Sequence, residues 1–235
     1  MAELWHGLVD ALRLIAHNDS YLRGITIRTI VVSGSATLLA MLVGVPAGYA
    51  LARGRFYGRT LLLGVVNTGM GMPPVVVGLV VWLMLVRSGP FGHWELIYTQ
   101  RAMVIAQFVI AVPLVIGFTT AAVQALPESL PDLLATLGAG RLRMLWLLSR
   151  EAQLGLLVAV MAGFGGVISE VGASLTVGGN LDGHTRVLTT AITLETARGN
   201  NVRAIALGVI LLAMAFAVNL VLTIVQQRSS VRRMR

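Results

Sequence analysis

Apolar and polar positions along this chain fall into long blocks. Five apolar runs stand out, roughly Thr29–Ala52, Thr60–Val86, Ala102–Ala125, Leu154–Ser169 and Arg203–Val225. Wound as helices, runs of about 20 residues match the thickness of a bilayer core. No stretch shows the period-two alternation of a membrane barrel strand, so the pattern predicts an all-α membrane protein with five spans. The fourth run is short and rich in glycine (Gly163, Gly165, Gly166), which predicts close packing inside a bundle. Before the first run, Leu4, Trp5, Leu8, Leu12 and Ile15 line one face of Ala2–His17. That segment is too short and too charged to span, and it predicts an amphipathic interfacial helix over residues 1–20. Residues 21–235 then form one transmembrane domain, with no internal repeat and no soluble domain.

The polar interval between the third and fourth runs, about residues 127–151, carries a pattern of its own. Leu130, Leu133, Leu134 and Leu137 sit at i, i+3, i+4 and i+7, one apolar stripe on a short helix. Glu128 and Asp132 lie near its start, where the helix dipole favours negative charge. Gly138 and Gly140 can end it in the left-handed conformation. Leucines displayed outside the membrane need a cover, either the lipid interface or another protein.

Composition narrows the class. Of 235 residues 56% are hydrophobic and only 12% charged, about half the charge of a soluble domain. The net charge of +8 comes from arginine alone, because the chain has no lysine. Arginines flanking spans and meeting anionic lipid account for it better than nucleic acid does. Arg53, Arg55 and Arg59 follow the first run, Arg141, Arg143 and Arg150 follow the third, and Arg228, Arg232, Arg233 and Arg235 form the tail. With five spans these fall on one side, which the positive-inside rule makes cytoplasmic. The N-terminus is then outside and the C-terminus inside. Four scattered histidines show no ligand spacing, and a chain without lysine can hold no Walker-type phosphate loop. The chain is therefore expected to be no enzyme, with no cofactor or metal of its own.

Two stretches carry candidate chemistry. Five glycines between Gly165 and Gly179 predict close helix contact and irregular backbone beside protein or a water-filled path. Glu170 ends an apolar run and is either a functional acid or an interhelical hydrogen-bonded carboxylate. Further on, Arg186 stands among Thr185, Thr189 and Thr190. If Thr185–Thr196 is helical, Arg186, Thr190 and Thr193 share a face, a donor set suited to a partly dehydrated anion. The competing reading pairs Arg186 with Asp182 or Glu195, or with a binding protein. In the second run, Asn67, Met70, Met72, Pro73 and Pro74 predict a kinked helix that lines a path.

These stretches resemble the permeases of ABC importers. Asp132-Leu133-Leu134-x-x-x-Gly138-Ala139 is similar to that group's Glu-Ala-Ala-x-x-x-Gly loop. Leucines replace both alanines, and Arg150-Glu151 stands where Leu-Pro usually closes the motif. Ser169-Glu170-Val171-Gly172-Ala173-Ser174 resembles the molybdate-type segment. Val177-Gly178-Gly179-Asn180 with Gly183, Thr185-Arg186-Val187-Leu188-Thr189-Thr190 and Leu194-Glu195-Thr196 resembles the tungstate-type branch. The resemblance implies a type I importer fold and a homodimer in the cytoplasmic membrane. It also implies a separate cytoplasmic ATPase dimer, holding ATP and Mg, and an extracytoplasmic oxyanion-binding protein. Asp132, Leu133, Leu134, Leu137, Gly138, Ala139 and Arg141 would couple to the ATPase. Asn67, Met70, Pro73, Glu170, Ser174, Thr185, Arg186, Thr189 and Thr190 are the candidates for the translocation path. Tungstate is the expected cargo, with molybdate or sulfate as alternatives. An ATP-independent secondary transporter is the rival from another class.

Overall fold

The computed structural model describes residues 20–231, together with Val9 and Arg13. The expected interfacial helix over residues 1–20 lies outside this described part. Every regular element among the described residues is helical. In order they are α1 (Ser20–Arg53), α2 (Arg59–Met70), α3 (Pro74–Leu85), a single 3-10 turn (Gly92–Trp94) and α4 (Gln100–Gln124). There follow α5 (Leu130–Thr136), α6 (Arg141–Glu151), α7 (Gln153–Ile168), α8 (Gly172–Gly178), α9 (Leu188–Ala197) and α10 (Asn201–Val231).

The bundle is built on α1 against α4. Ala36, Ala40, Gly44 and Gly48 recur every four residues on α1 and are all buried. This ridge of small side chains lets two backbones approach, the usual device where lipid supplies no hydrophobic drive between helices. A Cβ on Gly44 would stand 2.7 Å from the Val115 side chain, and one on Gly48 would stand 2.8 Å from the Ile116 carbonyl. Thr120 Oγ1 donates to the Gly48 carbonyl at 3.1 Å, a bond made possible by that closeness. Ala40, Ala111, Val115 and Val167 then join α1, α4 and α7 in one core cluster. Val32, Val77, Val81, Met103, Ala173 and Val177 bring α3 and α8 onto the same two helices. Leu22, Ile25, Leu188, Ala191 and Leu207 tie α9 and α10 to the start of α1.

The outer surface is apolar. Leu38 and Leu42 on α1, Leu61 and Val65 on α2, and Leu212 and Phe216 on α10 are all exposed. Such a surface is what lipid or a partner must cover. Among the described residues three helices, α1, α4 and α10, are long and apolar enough to cross a membrane by themselves. The count reaches five when two bent pairs, α2 with α3 and α6 with α7, are each taken as one span.

The second apolar run differs from its expected form. It is two helices meeting at 105°, and the kinked single helix is absent. Pro74 occupies the first turn of α3, where its missing N–H costs nothing. Pro73 precedes that turn with ψ 124°, outside the helical region. The proline pair therefore starts a new helix in place of bending an old one. The loop over residues 127–151 also holds more than one short helix, since α6 follows α5 directly.

Candidate functional site

Chemistry-bearing residues gather at the two ends of α1. At the C-terminal end, beside Arg53, lies α5. Pro131 sits in its first turn and Asp132 follows, as dipole and hydrogen-bond accounting favour. The helix closes on Gly138, whose φ is +78°. The Gly138 N–H donates to the Ala135 carbonyl at 2.9 Å and the Ala139 N–H to the Leu134 carbonyl at 3.0 Å. This pair of bonds is the Schellman closure, and it needs the left-handed residue that glycine supplies. No residue of α5 is buried. Leu133 is 57% exposed and Leu137, just past the helix, 76%. Leu134 and Ala139 are half-buried, and Arg141 opens α6. Beneath α5 a cleft of about 670 Å³ is lined by Arg53, Arg55, Arg59, Glu128, Ser129 and Asp132.

At the N-terminal end of α1 the polar residues form a closed knot. Arg186 is 7% exposed. Its guanidinium pairs with the Asp182 carboxylate at 3.1 Å. It also donates to Asn180 Oδ1, to the Asn180 carbonyl and to Tyr21 Oη, each at 3.3 Å. Arg28 of α1 donates from Nε to the Arg186 carbonyl at 3.1 Å and from Nη1 to that of Gly183 at 2.5 Å. Thr29 Oγ1 accepts from the Leu188 N–H at 2.9 Å. The helix expected over Thr185–Thr196 begins later, at Leu188. Thr185 and Arg186 lie in the turn before it, so no shared helical face joins Arg186 to Thr190. Thr185 Oγ1 donates to the Gly178 carbonyl at 2.6 Å and accepts from the Leu181 N–H. Thr190 Oγ1 accepts from the Val187 N–H at 3.1 Å, capping α9. Thr189 Oγ1 donates to the Glu170 carbonyl at 3.0 Å.

Glu170 has a structural partner as well. It is 8% exposed, and its Oε1 accepts from the Ala173 N–H at 2.7 Å in the first turn of α8. The bond is local, three residues along the chain, and caps the start of α8. Ser174, 1% exposed, accepts from Gln107 Nε2 at 3.2 Å. Gln107 Oε1 is buried with no partner among the described residues. Sequence reading passed over Gln107; an amide inside the third apolar run was the available signal. It also passed over Tyr21 and Arg28, which lie before the expected start of the first span.

Asn67, Met70 and Pro73 lie apart from this knot. Asn67 and Pro73 are exposed on α2 and at the α2–α3 break, and only Val66 of α2 is buried. Met70 is half-buried, its sulfur so near Gly117 that a Cβ there would stand 2.5 Å from it. The bridge between the two regions is α3 against α8. A Cβ on Gly78 would come within 2.6 Å of the Ala173 Cα, and one on Gly172 within 2.4 Å of the Val75 side chain.

With this geometry in view, the relatives are informative. A family model described as "Binding-protein-dependent transport system inner membrane component" matches residues 44–234. A probable anion ABC transporter permease protein of Haloferax volcanii is 43% identical over 207 residues, 86% of this chain and 89% of that protein. The tungstate uptake system permease protein TupB of Peptoclostridium acidaminophilum is 37% identical over 227 residues, 97% of this chain and 100% of its own. The molybdenum transport system permease protein ModB of Escherichia coli K12 is 30% identical over 193 residues, 78% of this chain and 84% of its own. Among solved structures, an inward-facing MetNI methionine ABC transporter chain superposes with a TM-score of 0.68 at 18% identity. The match covers 89% of this chain and 95% of that one, a likeness of fold alone.

Proposed function

The chain belongs to the family of binding-protein-dependent transport system inner membrane components, and on that premise we propose that it is the permease of an ABC importer for an oxyanion, tungstate before molybdate. It is a transport subunit and not an enzyme; ATP and Mg belong to a separate ATPase chain. One observation carries the mechanism: α5 has no buried residue, Leu133 and the Leu137 just beyond it are exposed, and its end is closed by Gly138. A groove in the ATPase takes Leu133, Leu134 and Leu137, with Asp132, Ala139 and Arg141 at the rim. Closure of the ATPase dimer on ATP then moves α5, and the spans rock about a central path.

That path lies between two copies of the chain. Exposed Asn67 on the outward face of α2 supports this, because an amide in a span needs protein or water beside it. Pro73 at the α2–α3 break and Met70 near it would line the path from each protomer. The knot around Arg186 is the mouth that an extracytoplasmic binding protein meets, with the α5 end in the cytoplasm and the N-terminus outside. In this reading Thr185, Thr189, Thr190, Glu170 and Ser174 hold the mouth's shape. Arg186 adds positive charge there while its own donors stay on Asp182, Asn180 and Tyr21.

The test is uptake in vesicles holding the permease and its ATPase, with binding protein supplied. Tungstate accumulation that requires ATP and the binding protein is the expected result. Molybdate or sulfate taken up in preference would change the assigned cargo. Accumulation driven by an ion gradient without ATP would replace the importer with a secondary carrier.

A further inference from the structure

Helix α6 carries a face that no other part of the described chain covers. Leu142, Trp146 and Arg150 fall at i, i+4 and i+8, one line along the helix. Leu142 is 84% exposed and Trp146 59%. The Arg150 guanidinium lies over the Trp146 ring, 5.4 Å from its centroid. Arg143 stands exposed beside them. The other side of α6 is anchored in the fold through Leu148, which is fully buried.

The elbow with α7 sets where this face lies. The two helices meet at 81°, separated only by Ala152. The Ala152 N–H donates to the Leu148 carbonyl at 2.8 Å, and its own carbonyl accepts from the Leu156 N–H at 3.0 Å, so no slack linker joins them. α7, 16 residues long and apolar apart from Gln153, would by itself supply the fourth crossing, with α6 left out of the span, at the usual tilt of about 20° from the normal. An elbow near a right angle then holds α6 parallel to the membrane plane, at the depth where α7 enters it. A helix at that depth meets acyl chains on one side and phosphates on the other. An exposed tryptophan and leucine with arginines beside them fit that boundary. By sequence the helix holds three arginines, Arg141, Arg143 and Arg150, against Glu151, which complements an anionic leaflet.

We infer that α6 is an interfacial helix that binds anionic phospholipid headgroups, with Trp146 at the headgroup–acyl boundary and Arg143 and Arg150 on phosphates. The inference rests on α7 crossing the membrane and is independent of the cargo. It gives α5 a fixed platform. The ATPase moves α5, while lipid holds the next helix at constant depth.

The experiment reads Trp146 in the full chain, with Trp5, Trp82 and Trp94 replaced by phenylalanine. The protein is reconstituted in phosphatidylcholine vesicles with or without phosphatidylglycerol. Lipids brominated near the glycerol end of the chains, and aqueous iodide, serve as quenchers. If the three replacements impair folding, the difference between the wild type and Trp146→Phe supplies the same signal. Strong quenching by bromolipid, weak quenching by iodide, and stronger quenching by brominated phosphatidylglycerol than by brominated phosphatidylcholine are expected. Arg143→Gln with Arg150→Gln should bring the two bromolipids to equal effect. Free quenching by iodide with little by bromolipid would overturn the proposal. A phosphatidylglycerol preference that survives both substitutions would remove the headgroup assignment. Shielding of Trp146 only after ATPase is added would give the face to that protein.

Discussion

The two ends of α1 invert what residue type alone leads one to expect. At the N-terminal end, a cationic side chain and a cluster of threonines look like an anion site. Yet Arg186, Thr185, Thr189 and Thr190 are all at least nine-tenths buried and hydrogen-bonded within the chain. At the C-terminal end, leucines look like core, and Leu133 and Leu137 are exposed. Buried polar groups without partners are costly, so a fold satisfies them first and leaves few donors for a ligand. Exposed leucines on a helix with nothing buried do not help the chain fold, and their use must lie outside it. Where a side chain's bonds go therefore says more about its task than its chemical class does.

The sharpest way to break the polar end is steric. Gly78→Leu should cost about 3 kcal/mol or more, because the new Cβ would fall 2.6 Å from the Ala173 backbone. Loss of the folded chain from detergent extracts, read by size-exclusion chromatography, is the expected outcome. A fully folded variant would show that α3 and α8 do not need this contact.

Next in size is Arg186→Gln, which removes bonds to Asn180 and Tyr21 and the pair with Asp182. Hydrogen bonds from a charged donor put the loss at about 2 kcal/mol. The ion pair adds little, since the Asp182 side chain is 64% exposed. Thermal unfolding of the purified protein measures it. Unchanged stability with lost uptake would return Arg186 to direct contact with the cargo and blur the contrast between the ends.

At the other end, Gly138→Ala should cost roughly 1 kcal/mol for a left-handed alanine, with open space around the new methyl. The effect should stay local. Amide exchange over residues 130–139 should speed up while the rest of the chain is unchanged, and uniform protection would argue against the strained cap.

Much of this was legible in the sequence. The five apolar runs, the leucine stripe and its glycine stop follow from spacing that helices impose on nearby residues. Less legible were features fixed by distant parts of the chain. The Arg186 pairing with Asp182 is local, four residues apart, and so within reach of a sequence reading that also allows Glu195, a binding protein or an anion. Its bond to Tyr21 spans 165 residues, and no local pattern encodes that. The 105° break at Pro73–Pro74 reads the same as a kink from sequence, because both begin with a missing N–H. Helix α6 was hidden by Arg141, Arg143, Arg150 and Glu151, which read as loop charge. Leu142, Leu145 and Trp146 fall at i, i+3 and i+4, the spacing of a helix.

The smallest effect on the fold should come from the change that matters most to the account. Leu133→Ser with Leu137→Ser removes two exposed side chains and should alter stability by no more than about 0.5 kcal/mol. Co-purification of the cognate ATPase with this double variant, scored beside its thermal unfolding, tests the assignment of α5 directly. A normally folded permease that no longer retains the ATPase is the expected result. Retention at the wild-type level, on an equally stable chain, would contradict it.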